Sequence, residues 1–164
     1  MLIYTEGNIF NTPCESILFP VNCDGILLTS LLRDFDSNFP QVIEEYRSLC
    51  KDKMVILGNV FVHKVQNPTT IKNIITYAFR KKWEGKVPEY WTALGLGGLR
   101  DAILEYDIKS LAIPSFVCGK DVGFQFILMK SMFKDWHRLY KEDLNSVDIR
   151  VYAPFRKEAM IHEF

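Results

Sequence analysis

The feature that most constrains this chain is the regular alternation of short apolar runs with longer amphipathic stretches along its 164 residues. That pattern belongs to a layered α/β fold, in which helices cover the faces of a largely parallel sheet. Ser16–Val21 (SILFPV) is a nearly continuous apolar run, as expected of a strand buried on both faces. Met1–Tyr4, Gly58–Val65, Ile71–Tyr77, Lys109–Pro114 and Val147–Tyr152 supply the other strand signals, the second and third of these flanking the Asn67–Pro68 turn. Helical patterns run over Ile26–Phe35, Pro40–Cys50, about Pro88 to Tyr106, and Val122–Tyr140. Pro40 suits a first-turn position, and Glu44 and Glu45 read as early acids of the same helix. About six strands and four helices are expected, in one domain over residues 1–154 with a tail over 155–164.

Composition narrows the functional classes. Hydrophobic residues make up 48% and aromatics 13%, too rich for a disordered chain. Twenty basic residues balance twenty acidic ones, which argues against a broad, salt-sensitive grip on nucleic acid but leaves room for a local patch. Cys14, Cys23, Cys50 and Cys118 form no CxxC pair and have no His at ligand spacing, so reduced thiols are expected, with no metal and no cofactor. The start, MLIYTEGNIF, lacks a signal-peptide pattern, and no segment approaches the ~20 apolar residues of a membrane span. A cytoplasmic domain is expected.

Four segments bear on chemistry. FPVNCDG takes a buried strand through Asn22, Asp24 and Gly25 straight into a helix pattern. Ligands of open α/β sheets gather at such strand ends, where helix N-termini offer unpaired N–H groups. Asn22 reads either as a ribose contact or as the centre of an Asx turn. AIPSFVCGKDVG makes a second strand exit, with Cys118 as a small loop residue or a thiol nucleophile, and Asp121 as a helix cap or a carboxylate aimed into a cleft. Arg80–Lys81–Lys82–Trp83 is either a solvated charge run or an anion-binding strand end; a Lys flanked by cations is also a route to a nucleophilic amine. GLGGLR (Gly95–Arg100) resembles a phosphate loop but lacks the preceding strand and the following Lys–Ser or Lys–Thr. It sits in an amphipathic pattern and reads as helix, its glycines permitting close packing on the sheet.

Taken in order, IYTEGNIF, ILFPVNCDG, LGNVFV, IITYAFRKKW, AIPSFVCG and DIRVYAP resemble the segments of a macro domain, from Met1 to about Pro154. The GN opening, the VNCDG exit and NFPQVIEEYRSLCK resemble the branch holding the DNA ADP-ribosyl glycohydrolase antitoxins and the terminal ADP-ribose protein glycohydrolase. The resemblance implies a mixed, mostly parallel six-stranded sheet flanked by helices in three α/β/α layers, with ADP-ribose in a cleft at one end. It implies Gly7, Asn8 and Ile9 beside adenine, with Asn8 standing where many relatives carry Asp and its carbonyl still able to accept. Asn22 and Gly25 are then beside the distal ribose. Ser115, Phe116, Val117, Cys118, Gly119 and Gly123 wrap the diphosphate and ribose, and Tyr152 or Phe155 stacks near adenine.

The same resemblance implies a Lys that attacks the anomeric carbon and an Asp that resolves the adduct. Aligned on YAFRK and CGKD these are Lys81 and Asp121; the antitoxins' spacing to Trp83 instead brings Arg80 to the first position, where a guanidinium cannot act as nucleophile. Relatives follow the strand exit with Met-Gly-x-Gly, where this chain has Leu27, Leu28, Thr29 and Ser30, and Val117 replaces a glycine. The functions implied are binding of ADP-ribose and its removal from a protein or nucleic-acid acceptor, with local nucleic-acid contact at Arg80, Lys81 and Lys82 and no membrane role. The alternatives are a non-catalytic nucleotide- or partner-binding domain with a remodelled cleft, and dephosphorylation of ADP-ribose 1″-phosphate.

Overall fold

The β-branched and aromatic runs form strands, and the helical stripes close over them on both sides. In the computed structural model residues 1–27, 30–80, 91–115 and 122–153 are described, with Arg80, residues 91–95 and residues 122–125 described by their backbone alone. The elements in chain order are β1 (Leu2–Thr5), a 3-10 turn (Ile9–Asn11), β2 (Ser16–Asn22), α1 (Ser30–Asn38), α2 (Pro40–Lys51), β3 (Val60–Lys64), β4 (Asn73–Arg80), α3 (Trp91–Glu105), β5 (Ser110–Ile113), α4 (Val122–Leu139), α5 (Lys141–Leu144) and β6 (Asp148–Tyr152).

All six strands form one sheet in the order β1-β6-β5-β2-β4-β3. Only β3, pairing with β4, runs antiparallel. Every residue of β2 is buried, which explains its unbroken apolar run. Its side chains alternate between two cores. Ile17, Phe19 and Val21 meet Leu32 and Phe35 of α1 and Val42, Ile43 and Tyr46 of α2. Leu18 faces Leu96, Leu99 and Ile103 of α3 and Met129, Phe133 and Trp136 of α4. Burying a large apolar side chain in either core contributes roughly 1.5–3 kcal/mol. Phe35 stacks on Phe19 at 4.0 Å between centroids, and Phe10 meets Phe35 edge-on at 5.0 Å, anchoring the 3-10 turn to the α1 side.

Three expectations need correction. The first helix begins at Ser30, not at Ile26, because the backbone from Asn22 to Ile26 is tied into a turn of its own. Glu44 and Glu45 fall beyond the first turn of α2, while Pro40 does occupy its start. The last helical pattern breaks at Tyr140 and resumes as the short α5, which buries Leu144, so the described residues hold five α-helices where about four were expected.

Candidate functional site

Because five strands are parallel, their carboxyl ends share one edge of the sheet. That edge gathers the loop after β1, the Asn22 exit of β2, the Arg80 end of β4, the Pro114–Ser115 exit of β5 and the end of β6. β2 and β5 are hydrogen-bonded neighbours, yet the chain leaves β2 toward α1 and α2 on one face and leaves β5 toward α4 on the other. Adjacent strands whose connections part in this way leave a crevice at their carboxyl ends, the usual ligand position in open α/β sheets.

The β2 exit is the best-organised wall of that edge. Asn22 is only 5% exposed. Its side-chain carbonyl accepts from the backbone N–H of Asp24 at 2.9 Å and of Ile26 at 3.3 Å, while its amide donates to the Ile26 carbonyl at 2.8 Å. This is an Asx turn extended by one more bond. From α2 the Tyr46 hydroxyl donates to the Asn22 backbone carbonyl at 2.5 Å and lies 3.2 Å from its side-chain oxygen. Arg47 Nε donates to the Gly25 carbonyl at 3.2 Å. Gly25 adopts φ +76°, in the left-handed region that favours glycine, and a Cβ there would lie 3.5 Å from both Arg47 Cγ and Cys50 Cβ. Opposite Asn22, the pairing slips by one residue, with Val21 beside Ala78 and Asn22 beside Arg80. Such bulges re-aim the backbone where they occur.

Burial pushes the Tyr46 phenol far up, with the neighbouring Cys50 adding to the effect. It also pushes the Cys50 thiol up, with the neighbouring Tyr46 side chain acting in the opposite direction. Both groups are therefore neutral hydrogen-bonding partners at neutral pH, and Cys50 offers no thiolate nucleophile.

On the β5 side the Ser115 hydroxyl is buried with no hydrogen-bond partner among the described residues. A desolvated, unmatched hydroxyl costs free energy unless something else bonds it. After β1, Gly7 has φ +130°, and the Asn8 side chain caps the 3-10 turn by accepting from Phe10 N–H at 3.0 Å. Ile9 is buried in the α1 and α2 core. Tyr152, at the end of β6, is 7% exposed and its hydroxyl donates to Thr12 at 2.8 Å. A separate groove of about 600 Å³ lies between α2 and β3, beside Glu45 and His63. Among the described residues, no three His, Cys, Asp or Glu side chains are grouped to hold a metal, and no helix is long and apolar enough to cross a membrane.

No family model matches the chain. Over 154 residues it is 25% identical to a curated DNA ADP-ribosyl glycohydrolase from Thermus aquaticus, covering 94% of this chain and 41% of that protein. The solved macrodomain of Thermus aquaticus DarG matches with a TM-score of 0.83 at 25% identity, covering 94% of this chain and 99% of that one. The macrodomain of Mycobacterium tuberculosis DarG matches with a TM-score of 0.76 at 22% identity, over 94% and 99% of the two chains. The fold is a macrodomain. A third solved relative, Thermosipho africanus DarTG in complex with ADP-ribose, matches at 20% identity with a TM-score of 0.73, over 94% of this chain and 42% of that one. The resemblance read from the sequence, to the macro domains of the DNA ADP-ribosyl glycohydrolases, therefore holds, and the expected mixed six-stranded sheet is the one observed.

Within this macrodomain the described Gly7, Asn8, Asn22, Gly25 and Ser115 all belong to strand exits at one edge. Gly123 lies in the first turn of α4, described by its backbone. Lys81, Lys82, Phe116, Val117, Cys118, Gly119, Asp121 and Phe155 lie outside the described residues, as do Leu28 and Thr29. Tyr46 and Arg47 were missed by the sequence reading. They lie in an ordinary amphipathic helix, and only the phrase EEYRSLCK, already noted as a branch signature, pointed to them.

Proposed function

We propose that this macrodomain binds ADP-ribose in the strand-end crevice between β2 and β5 and releases it from an ADP-ribosylated macromolecule. The observation that carries this reading is the switch-point geometry: neighbouring parallel strands whose exits turn to opposite faces of the sheet. The Ser115 hydroxyl beside that crevice, without a partner among the described residues, supports it as a donor to ligand oxygens. Gly7, Asn8 and Ile9 are assigned to the adenine end, Asn22 and Gly25 to the distal ribose, and Ser115 through Gly119 with Gly123 to the diphosphate. Asn22 acts mainly by shaping its loop, since its side-chain oxygen is already occupied. The domain is taken as residues 1–154, followed by a tail, in a cytoplasmic protein.

For release, Lys81 is assigned as nucleophile and Asp121 as general acid and base. The neutral amine attacks the anomeric carbon, and the bond to the acceptor breaks with its electrons leaving on the acceptor. Asp121 supplies the proton to that leaving group and then draws one from the water that displaces the lysine, returning free ADP-ribose and the amine. The relative's activity on DNA favours a nucleic-acid acceptor. Arg80, Lys81 and Lys82 are then placed to meet its phosphodiesters, in a salt-dependent contact.

Calorimetry with ADP-ribose tests binding, and release from an ADP-ribosylated oligonucleotide tests catalysis. Lys81→Ala is expected to lower release by on the order of a hundredfold or more while leaving the heat of ADP-ribose binding in place. Unchanged turnover in that variant removes Lys81 from the mechanism, and no heat at millimolar ligand removes the whole reading. One observation favours a second reading, a silent binder: the N–H groups of Asp24 and Ile26 are turned inward onto Asn22, leaving this loop fewer donors for a ligand. Binding without release in the wild-type protein selects it.

A further inference from the structure

We propose that Tyr46 and Arg47 of α2 are positioning residues, which set the Asn22–Ile26 loop in the one shape that faces the ligand; the inference rests on the ADP-ribose reading above. The loop does not hold itself. Its local Asx bonds fix Asp24 and Ile26 to Asn22, which the sheet holds beside Arg80, but they do not set the loop beyond the strand against the helix layer. That link comes from α2. The Tyr46 hydroxyl spends its hydrogen on the Asn22 backbone carbonyl and lies within reach of the side-chain oxygen. One buried phenol thus fastens the first residue of the turn to α2.

Arg47 completes the fastening one residue further along the helix. It bonds the Gly25 carbonyl from outside, while its own Cγ and the Cys50 side chain pack on the bare Cα of Gly25. Tyr46 and Cys50 are four apart and lie on one face of α2, with Arg47 at its border. The peptide that follows Gly25 is therefore oriented from α2 and not by the crevice. Asp24 and Ile26 turn their N–H groups inward as a consequence, so the ligand meets the opposite side of the loop.

The two contacts differ in burial, which allows them to be tested separately: Tyr46 is buried, Arg47 exposed. Tyr46→Phe keeps the ring and removes only the hydroxyl; Arg47→Met keeps the stem and removes the donor, while Arg47→Lys restores a cation. Ile43→Val, a buried change on the same helix, controls for lost stability alone. Amide exchange at Asp24 and Ile26, followed by NMR without ligand, and the dissociation constant for ADP-ribose, measured by calorimetry, are the two readouts.

Tyr46→Phe is expected to speed exchange at both amides and to weaken ADP-ribose about tenfold, the loss of roughly one buried hydrogen bond. Arg47→Met is expected to weaken it less, and Arg47→Lys to recover part of that loss. Ile43→Val is expected to change neither readout. If the wild type binds ADP-ribose and Tyr46→Phe and Arg47→Met bind it equally well, the loop is not positioned from α2 and the inference is wrong. Unaltered exchange in Tyr46→Phe overturns it as well. A wild type that binds no ADP-ribose removes the functional reading, and this inference with it.

Discussion

Tyr46 and Tyr77 hold their phenols in opposite cores of the molecule, each 1% exposed. Burial raises both well above the ordinary tyrosine value of 10.0, chiefly by desolvating the anion. The folded state therefore keeps both protons where the unfolded chain gives them up. Folding stability is unaffected below about pH 10 and falls as pH rises above it, because the native state then binds more protons than the unfolded one. Urea midpoints taken from neutral pH to beyond pH 10, beside tyrosinate absorbance, are expected to show that fall, and Tyr77→Phe to make it shallower. An identical alkaline slope in the variant contradicts the assignment. At this scale the sequence was informative where the chemistry is local. Asn22 stood out because Asn-x-Asp-Gly after a strand is an Asx signal. Tyr46 did not, because its bond reaches a residue 24 positions earlier, and a tyrosine at a helix core position looks like any other apolar residue. The Tyr152 bond to Thr12 was hidden for the same reason: nothing local announces it.

Secondary-structure elements were legible where periodicity was long and ambiguous where turns intervene. The glycine-rich GLGGLR segment does lie inside α3, as its apolar spacing indicated. Gly98 is less necessary to that packing than expected. A Cβ on Gly98 would meet Val60 Cγ2 at 3.5 Å and the Gly58 carbonyl at 4.0 Å, which is ordinary contact. Gly98→Ala is therefore expected to stabilise the protein by up to about 1 kcal/mol through helix propensity, read as a higher urea midpoint with an unchanged slope. A lower midpoint would mean that α3 sits tighter on β3 than this geometry allows. The start of α1 was misplaced because hydrophobic spacing continues through Ile26 and Leu27, while the backbone there is already committed to Asn22. Between α2, β3 and β4 lies a tie that no spacing revealed. His63 Nδ1 is 2.8 Å from Glu45 and its Nε2 is 3.0 Å from Thr76. The order carboxylate, imidazole, hydroxyl resembles a catalytic triad, but the hydroxyl end is the buried one, so it fastens an edge strand to a helix and cannot reach a substrate.

For the molecule as a whole, the class of fold followed from alternation, and the strand count with it. The strand order did not, since pairing between segments far apart in the chain leaves no mark on either segment alone. Yet strand order is what creates the candidate site, by setting β5 beside β2 and sending their exits to opposite faces. The outermost pair shows the same property differently. β1 joins the sheet only through β6, with Leu2 beside Ile149 and Thr5 beside Tyr152. As a short edge strand it is expected to lose amide protection in native-state hydrogen exchange well before β2, which is covered on both sides; equal protection would mean that the sheet opens only as a unit. This pairing also sets a timetable. As the chain is synthesised, the β2–β4 pair at the centre of the sheet can assemble while β1 still has nothing to bond to, and the loop that must close to dock it is nearly the full length of the domain. Within this sheet the strand that is made first is thus the last to be incorporated, and its apolar face stays open to other partners until β6 emerges.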